Sequence, residues 1–112
     1  MSVLEEVRVL VQMGQGWSRR AAVHLTRQAL EQTVRRLLIR HGGAPDEHTS
    51  FTAQLLVLPE LLGDAEMARR VAWTWAALSR ASHHHTHELP PTADELQGWI
   101  ATVDGLQRAR NP

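Results

Sequence analysis

The stretch Arg20-Ala21-Ala22-Val23-His24-Leu25-Thr26-Arg27-Gln28-Ala29-Leu30-Glu31-Gln32-Thr33-Val34-Arg35-Arg36-Leu37-Leu38 decides the fold. Ala22, Leu25, Ala29, Leu30, Val34, Leu37 and Leu38 recur at helical steps and trace one apolar stripe. Arg19, Arg20, Arg27, Arg35, Arg36 and Arg40 supply the polar face, and those near the C-terminal end suit the helix dipole. The spacing predicts a helix over 17–41, stopped by His41-Gly42-Gly43-Ala44-Pro45.

The same periodicity extends in both directions. Val3, Leu4, Val7, Leu10 and Val11 make a short amphipathic segment over 3–13, which Gly14-Gln15-Gly16 breaks. Asp46 to Ser50 are polar and able to cap a helix over Phe51 to Leu62, which Pro59 is expected to interrupt. Asp64 reads as an N-cap, with Glu66 in the first turn of a helix running from Ala65 into a histidine cluster. On it Val71, Trp75, Leu78 and Ser82 share a stripe, while Trp73 falls on another side. Pro90-Pro91 ends that segment. Thr92-Ala93-Asp94-Glu95 then forms a capping box for a last helix whose face carries Leu96, Trp99, Ile100, Val103 and Leu106. No strand alternation, internal repeat or low-complexity linker is present. The expectation is an all-α protein, an antiparallel four- to five-helix bundle forming a single domain over 1–112.

Composition narrows the function classes. At 112 residues, one core is affordable, and pairing with a second copy would help a domain so small. No run approaches the roughly 20 apolar residues needed to span a bilayer. Met1 precedes Ser2-Val3-Leu4-Glu5-Glu6 with no basic leader, so a cytoplasmic location and no membrane partner are expected. Absence of cysteine excludes disulfides, thiolate metal sites and cysteine nucleophiles. The 12 acidic and 12 basic residues balance, unlike the excess of basic charge usual in proteins that coat nucleic acid non-specifically. All 12 basic residues are arginine, which fits either the codon bias of a GC-rich genome or selection for bidentate phosphate contacts.

The stretch Ser79-Arg80-Ala81-Ser82-His83-His84-His85-Thr86-His87 concentrates the chemistry. Arginine offers a permanent fork of donors for phosphate, and histidine moves protons near neutral pH. At roughly 100° per residue, His87 lies about 20° from Arg80, His84 about 40°, His83 about 60° on the other side and His85 about 140°. An unbroken helix therefore pairs Arg80 with His84 or His87 and turns His85 away; fraying near Thr86 and Pro90-Pro91 would change those angles. Arg69 and Trp73 lie three and two turns before Arg80 on the same face, a stripe able to touch phosphate and stack on a base. Three readings of the cluster are open at this point. It can be a solvated helix end, with histidines facing the dipole. His83 and His87, four apart, can be a metal-ligand pair, although no HExxH pattern accompanies them. Or a histidine removes a 2′-hydroxyl proton while Arg80 stabilises charge on the scissile phosphate of RNA.

Two regions of the chain resemble the HEPN family of small all-helical prokaryotic toxins and RNases. Residues 20–38 are similar to its long early helix, with an A..h..QALE..h..LL character. Arg80 followed by His85 (R-x4-H) or by His87 (R-x6-H) fits its late R-x4-6-H signature. Ala81 stands where the family often has a polar residue after the arginine, and no tyrosine is present for the adenylylation that neutralises some of its toxins. The resemblance implies a homodimer whose two Arg/His sets meet at one cleft and cut RNA without a metal or other cofactor, in a toxin–antitoxin or phage-defence system with an antitoxin or other partner protein. It equally implies a non-catalytic binding or dimerisation module. In the catalytic case Arg80 and His85 or His87 do the chemistry, and His84, Trp73 and Arg69 contact substrate.

Other positions read more plainly. His24, beside the apolar stripe, is expected to be partly buried and hydrogen-bonded, and His48 solvated in a polar turn. Trp17, Trp73, Trp75 and Trp99 are expected to anchor a core or an interface, with Trp73 kept as a stacking platform. Gln28 and Glu31 border the stripe of the long helix.

Overall fold

A computed structural model describes Glu5 and residues 16–43, 45, 46, 48–83 and 91–110. Among them are four helices and no strand: α1 (Gly16–Arg40), α2 (Phe51–Leu62), α3 (Ala65–Ser82) and α4 (Ala93–Arg110). The protein is an all-α helical bundle. Of the amphipathic segment expected over 3–13, only Glu5 is described, helical and exposed. No helix among the described residues is long and apolar enough to cross a membrane.

Each helix boundary has a local cause. α1 ends in a Schellman motif: Gly42 N–H donates to Ile39 O (3.1 Å), Gly43 N–H donates to Leu38 O (2.8 Å), and Gly42 takes φ 89°. A Cβ on Gly43 would sit 3.0 Å from Leu38 O, so glycine fits there where a larger residue must push the helix end away. Asp46 organises the next turn, its carboxylate accepting from His48 N–H (2.9 Å) and the Thr49 hydroxyl (3.1 Å). Those bonds hold the exposed Asp46 carboxyl below its ordinary value of 3.8, the His48 N–H contributing most. Ser50 then caps α2 by accepting from Ala53 N–H (3.1 Å), and Asp64 caps α3 by accepting from Met67 N–H (3.0 Å). The expected capping box opens α4: Glu95 accepts from Thr92 N–H (3.0 Å) and Thr92 Oγ1 from Glu95 N–H (3.1 Å).

Pro59 does not interrupt α2, contrary to the sequence expectation. It lies on the exposed side near the C-terminal end, where the lost i→i−4 bond can be made up by solvent, and the helix runs on to Leu62. Gly63, at φ 64°, closes it by donating to Pro59 O (3.0 Å).

α1 packs against each of the other three helices, and α3 also against α2 and α4. Leu30, Val34, Leu58, Val71, Leu78, Leu96, Ile100, Val103 and Leu106 form the fully enclosed centre. Each such side chain contributes about 1.5–3 kcal/mol by leaving water. The α4 face is buried as its spacing predicts. The α1 stripe is wider than predicted, because Val23, Thr26 and Thr33 are also buried, whereas Leu25 is only half-buried. The two threonines fit because each hydroxyl donates within its own helix, to Ala22 O and to Ala29 O, both at 2.7 Å. Gln107 Nε2 on α4 donates to Thr33 Oγ1 (3.3 Å), joining α4 to α1 by a side-chain hydrogen bond.

Two α1 positions differ from expectation. His24 is exposed, not partly buried, because the buried stripe of α1 runs through Val23 and Thr26, about 100° and 160° around the helix from it. Arg27 is half-buried instead of lying on the solvent face. Its guanidinium stands over the Trp75 ring, 5.9 Å from the centroid, and its Nε lies 3.6 Å from a Glu31 carboxylate oxygen. Phe51 meets the same indole at 5.1 Å between centroids, tilted by 39°.

Candidate functional site

The outer face of α3 carries three of the residues that sequence reading singled out, Arg69, Trp73 and Arg80. The helix is amphipathic, burying Ala68, Val71, Thr74, Ala77 and Leu78. With that side committed to the core, Glu66, Arg69, Arg70, Trp73 and Arg80 are exposed. Trp73 is the outlier: 66% of its surface is open, an unusual setting for the largest apolar side chain. Tryptophan Trp75, two residues on, faces inward, and Trp99 is buried in the core. Trp75 and Trp99 thus anchor the core, and Trp73 does not; the Trp17 side chain lies outside the described residues.

Glu66, Arg69, Arg70 and Trp73 line an open depression of about 330 Å³. Long helical side chains lean toward the N-terminus, so the Trp73 indole lies over the turn that carries Arg69 and Arg70. Arg70 Nη2 stands 3.6 Å from a Glu66 carboxylate oxygen, a well-exposed pair of the kind worth little in water. Arg69 and Arg80 form no ion pair among the described residues, which leaves their guanidinium groups in solvent. Arg80 stands about 10 Å along the axis beyond Trp73, and Arg69 about 16 Å from Arg80. Three arginines against one glutamate make this face electropositive although the whole chain is neutral.

At its C-terminal end α3 is shorter than the helix expected to run into the histidine cluster. The helix ends at Ser82, whose hydroxyl donates to Leu78 O (2.9 Å). His83 leaves helical geometry at φ −108°, ψ 12°, its N–H donating to Arg80 O (3.2 Å) in a tightened last turn. A serine followed by consecutive histidines and a β-branched threonine has little intrinsic tendency to prolong a helix. The angles that relate Arg80 to His84 and His87 lie outside the described residues. His84, His85 and His87 lie outside the described residues, and His83 is exposed. Among the described residues no group of three or more His, Asp or Glu side chains is placed to hold a metal ion; of the His83–His87 pair only His83 is described.

Glu66 and Arg70 belong to this site and were not singled out from sequence. Their signal was legible: a Glu-to-Arg i,i+4 pair one turn before an outward tryptophan. Gln28 is exposed on α1, and Glu31 serves Arg27. His48 is exposed, as expected. Compared with known proteins, the chain matches no family model, no curated protein and no solved structure.

Proposed function

We propose that the outer face of α3 is an RNA-binding surface and that the chain is a metal-independent endoribonuclease of HEPN type. The observation that carries the reading is the exposed Trp73, set among Arg69 and Arg70 with Arg80 on the same helix face. An exposed indole offers stacking that every base accepts, and flanking guanidinium groups offer contacts to phosphate. Arg80 holds the scissile phosphate and stabilises its developing charge. His85 or His87 takes the 2′-hydroxyl proton as the 2′-oxygen attacks phosphorus, and the 5′-oxygen leaves with a proton supplied in return. The active species is a homodimer in the cytoplasm, acting as a toxin or phage-defence effector under control of an antitoxin or other partner protein. Support for a dimer comes from the outer strip of α2, where Leu56 is 77% exposed beside Val57, and Glu60 is that helix's sole charge.

Purified protein is expected to cut single-stranded RNA in excess EDTA, and Arg80→Ala to reduce cutting by at least about a hundredfold, the scale of losing one transition-state donor. Intact RNA in the presence of folded, dimeric protein would sink the enzymatic part. A second reading, a non-catalytic RNA-binding and dimerisation module, is favoured by the end of α3 at Ser82, which leaves Arg80 on the last helical turn. RNA binding without cleavage would select it.

A further inference from the structure

Glu66 is the misfit on this face. A carboxylate beside a phosphate path repels the backbone, yet it lines the same depression as Trp73 and two arginines. Its chemistry suits the edge of a base instead, because a carboxylate accepts two adjacent N–H groups side by side. Guanine is the base whose edge runs through two neighbouring acceptors, N7 and O6, and then two neighbouring donors, N1–H and the 2-amino group. Arg70 and Glu66, 3.6 Å apart, present a guanidinium beside a carboxylate, the complementary order of donors and acceptors. Adenine and cytosine offer a carboxylate one exocyclic amine, and uracil one ring N–H. The Arg70–Glu66 pair is exposed, so opening it toward a ligand costs little. At about 330 Å³ the depression is at the small end of ligand pockets, roughly 300–1,000 Å³, with room for one base.

We infer that this depression takes one unpaired guanine of a single-stranded RNA. Trp73 stacks on the base, Arg70 donates to O6 and N7, Glu66 accepts from N1–H and the 2-amino group, and Arg69 contacts an adjoining phosphate. The inference rests on the reading of the α3 face as an RNA surface and adds its base selectivity.

The test is fluorescence anisotropy on labelled oligonucleotides that differ at one central base: guanine, adenine, cytosine, uracil or inosine, which lacks the 2-amino group. Riboses carrying 2′-fluorine leave no hydroxyl to attack, so binding is read without cleavage. The guanine strand is expected to bind about tenfold more tightly than the adenine, cytosine and uracil strands, with inosine between. Glu66→Gln is expected to bring guanine down to the level of the other bases without weakening those, and Trp73→Ala to weaken all five. Both side chains are exposed, so neither change threatens the fold. Equal affinity for all bases, or a guanine preference that survives Glu66→Gln, would overturn the inference and leave the RNA surface standing. Competition by GMP as effective as by the guanine strand would assign the pocket to a free nucleotide and overturn the RNA assignment. Absence of binding to any strand would remove the RNA surface itself, and the inference with it.

Discussion

Trp73 and Trp75 stand two residues apart on α3 and each has arginine for company, but the two settings are opposite. On the inner side Arg27 reaches from α1 over the Trp75 ring, Phe51 from α2 closes against it, and Glu31 steadies the guanidinium. Three helices meet there, and the arginine is engaged by the fold. On the outer side Trp73, Arg69 and Arg70 come from a single helix and are exposed, with Glu66 as their sole partner among the described residues. The same pair of residue types is structural when several elements converge on it and open to a ligand when one element presents it. Desolvation makes the difference, since a cation over an indole gains more once water is excluded.

The comparison breaks most easily at the tryptophans. Trp75→Ala is expected to destabilise by roughly 2–3 kcal/mol, below the 3–5 typical of fully buried aromatics because this one is half-buried. In a domain of this size that lowers Tm by about 10 °C or more in a thermal melt. Trp73→Ala should stay within about 0.5 kcal/mol of the parent in the same melt. A melt in which the two variants fall equally would erase the distinction between the faces.

A smaller effect sharpens the inner side. Arg27→Met retains most of the stem and removes the charge over the indole, and about 1 kcal/mol should be lost in urea unfolding. An unchanged midpoint would mean that the cation over Trp75 contributes nothing.

The smallest effect reaches the inner side through α2. Asp46 shapes the turn before Ser50, and Ser50 caps the helix that begins with Phe51, the neighbour of Trp75. The Asp46 carboxyl is held below 3.8 in the fold, so its contribution is fully present above that value and is lost as pH falls through the folded value. A slight acid-side loss of stability that Asp46→Ala removes is expected in melts between about pH 5 and pH 2. A variant with the same acid profile as the parent would show that the turn does not pass its order to α2.

Much of the helical order was legible because it is local. The Gly42-Gly43 stop, the Asp64 cap and the Thr92–Glu95 box each need only residues within one turn, and the α4 stripe follows from its period. Pro59 misled because a proline's effect depends on where it sits in the helix, and here it falls on the solvent side near the end. Arg27 and His24 misled because the width and direction of a buried stripe depend on how many helices cover it. The face of α3 was legible in Arg69, Trp73 and Arg80, and the i,i+4 spacing of Glu66 and Arg70 was legible too, but their place beside Trp73 follows from which side of α3 is buried.

By itself the sequence determined that the chain is helical, where α1 stops, where α2, α3 and α4 begin, and that Arg69, Trp73 and Arg80 share one face of α3. Hydrogen bonds within a turn and a repeat of 3.6 residues are written in short stretches of chain. Tertiary structure decided which tryptophan each arginine serves and that Trp73 stays in water. Burial belongs to the assembled bundle: among the described residues α1 packs against the other three helices, and one side of α3 stays exposed.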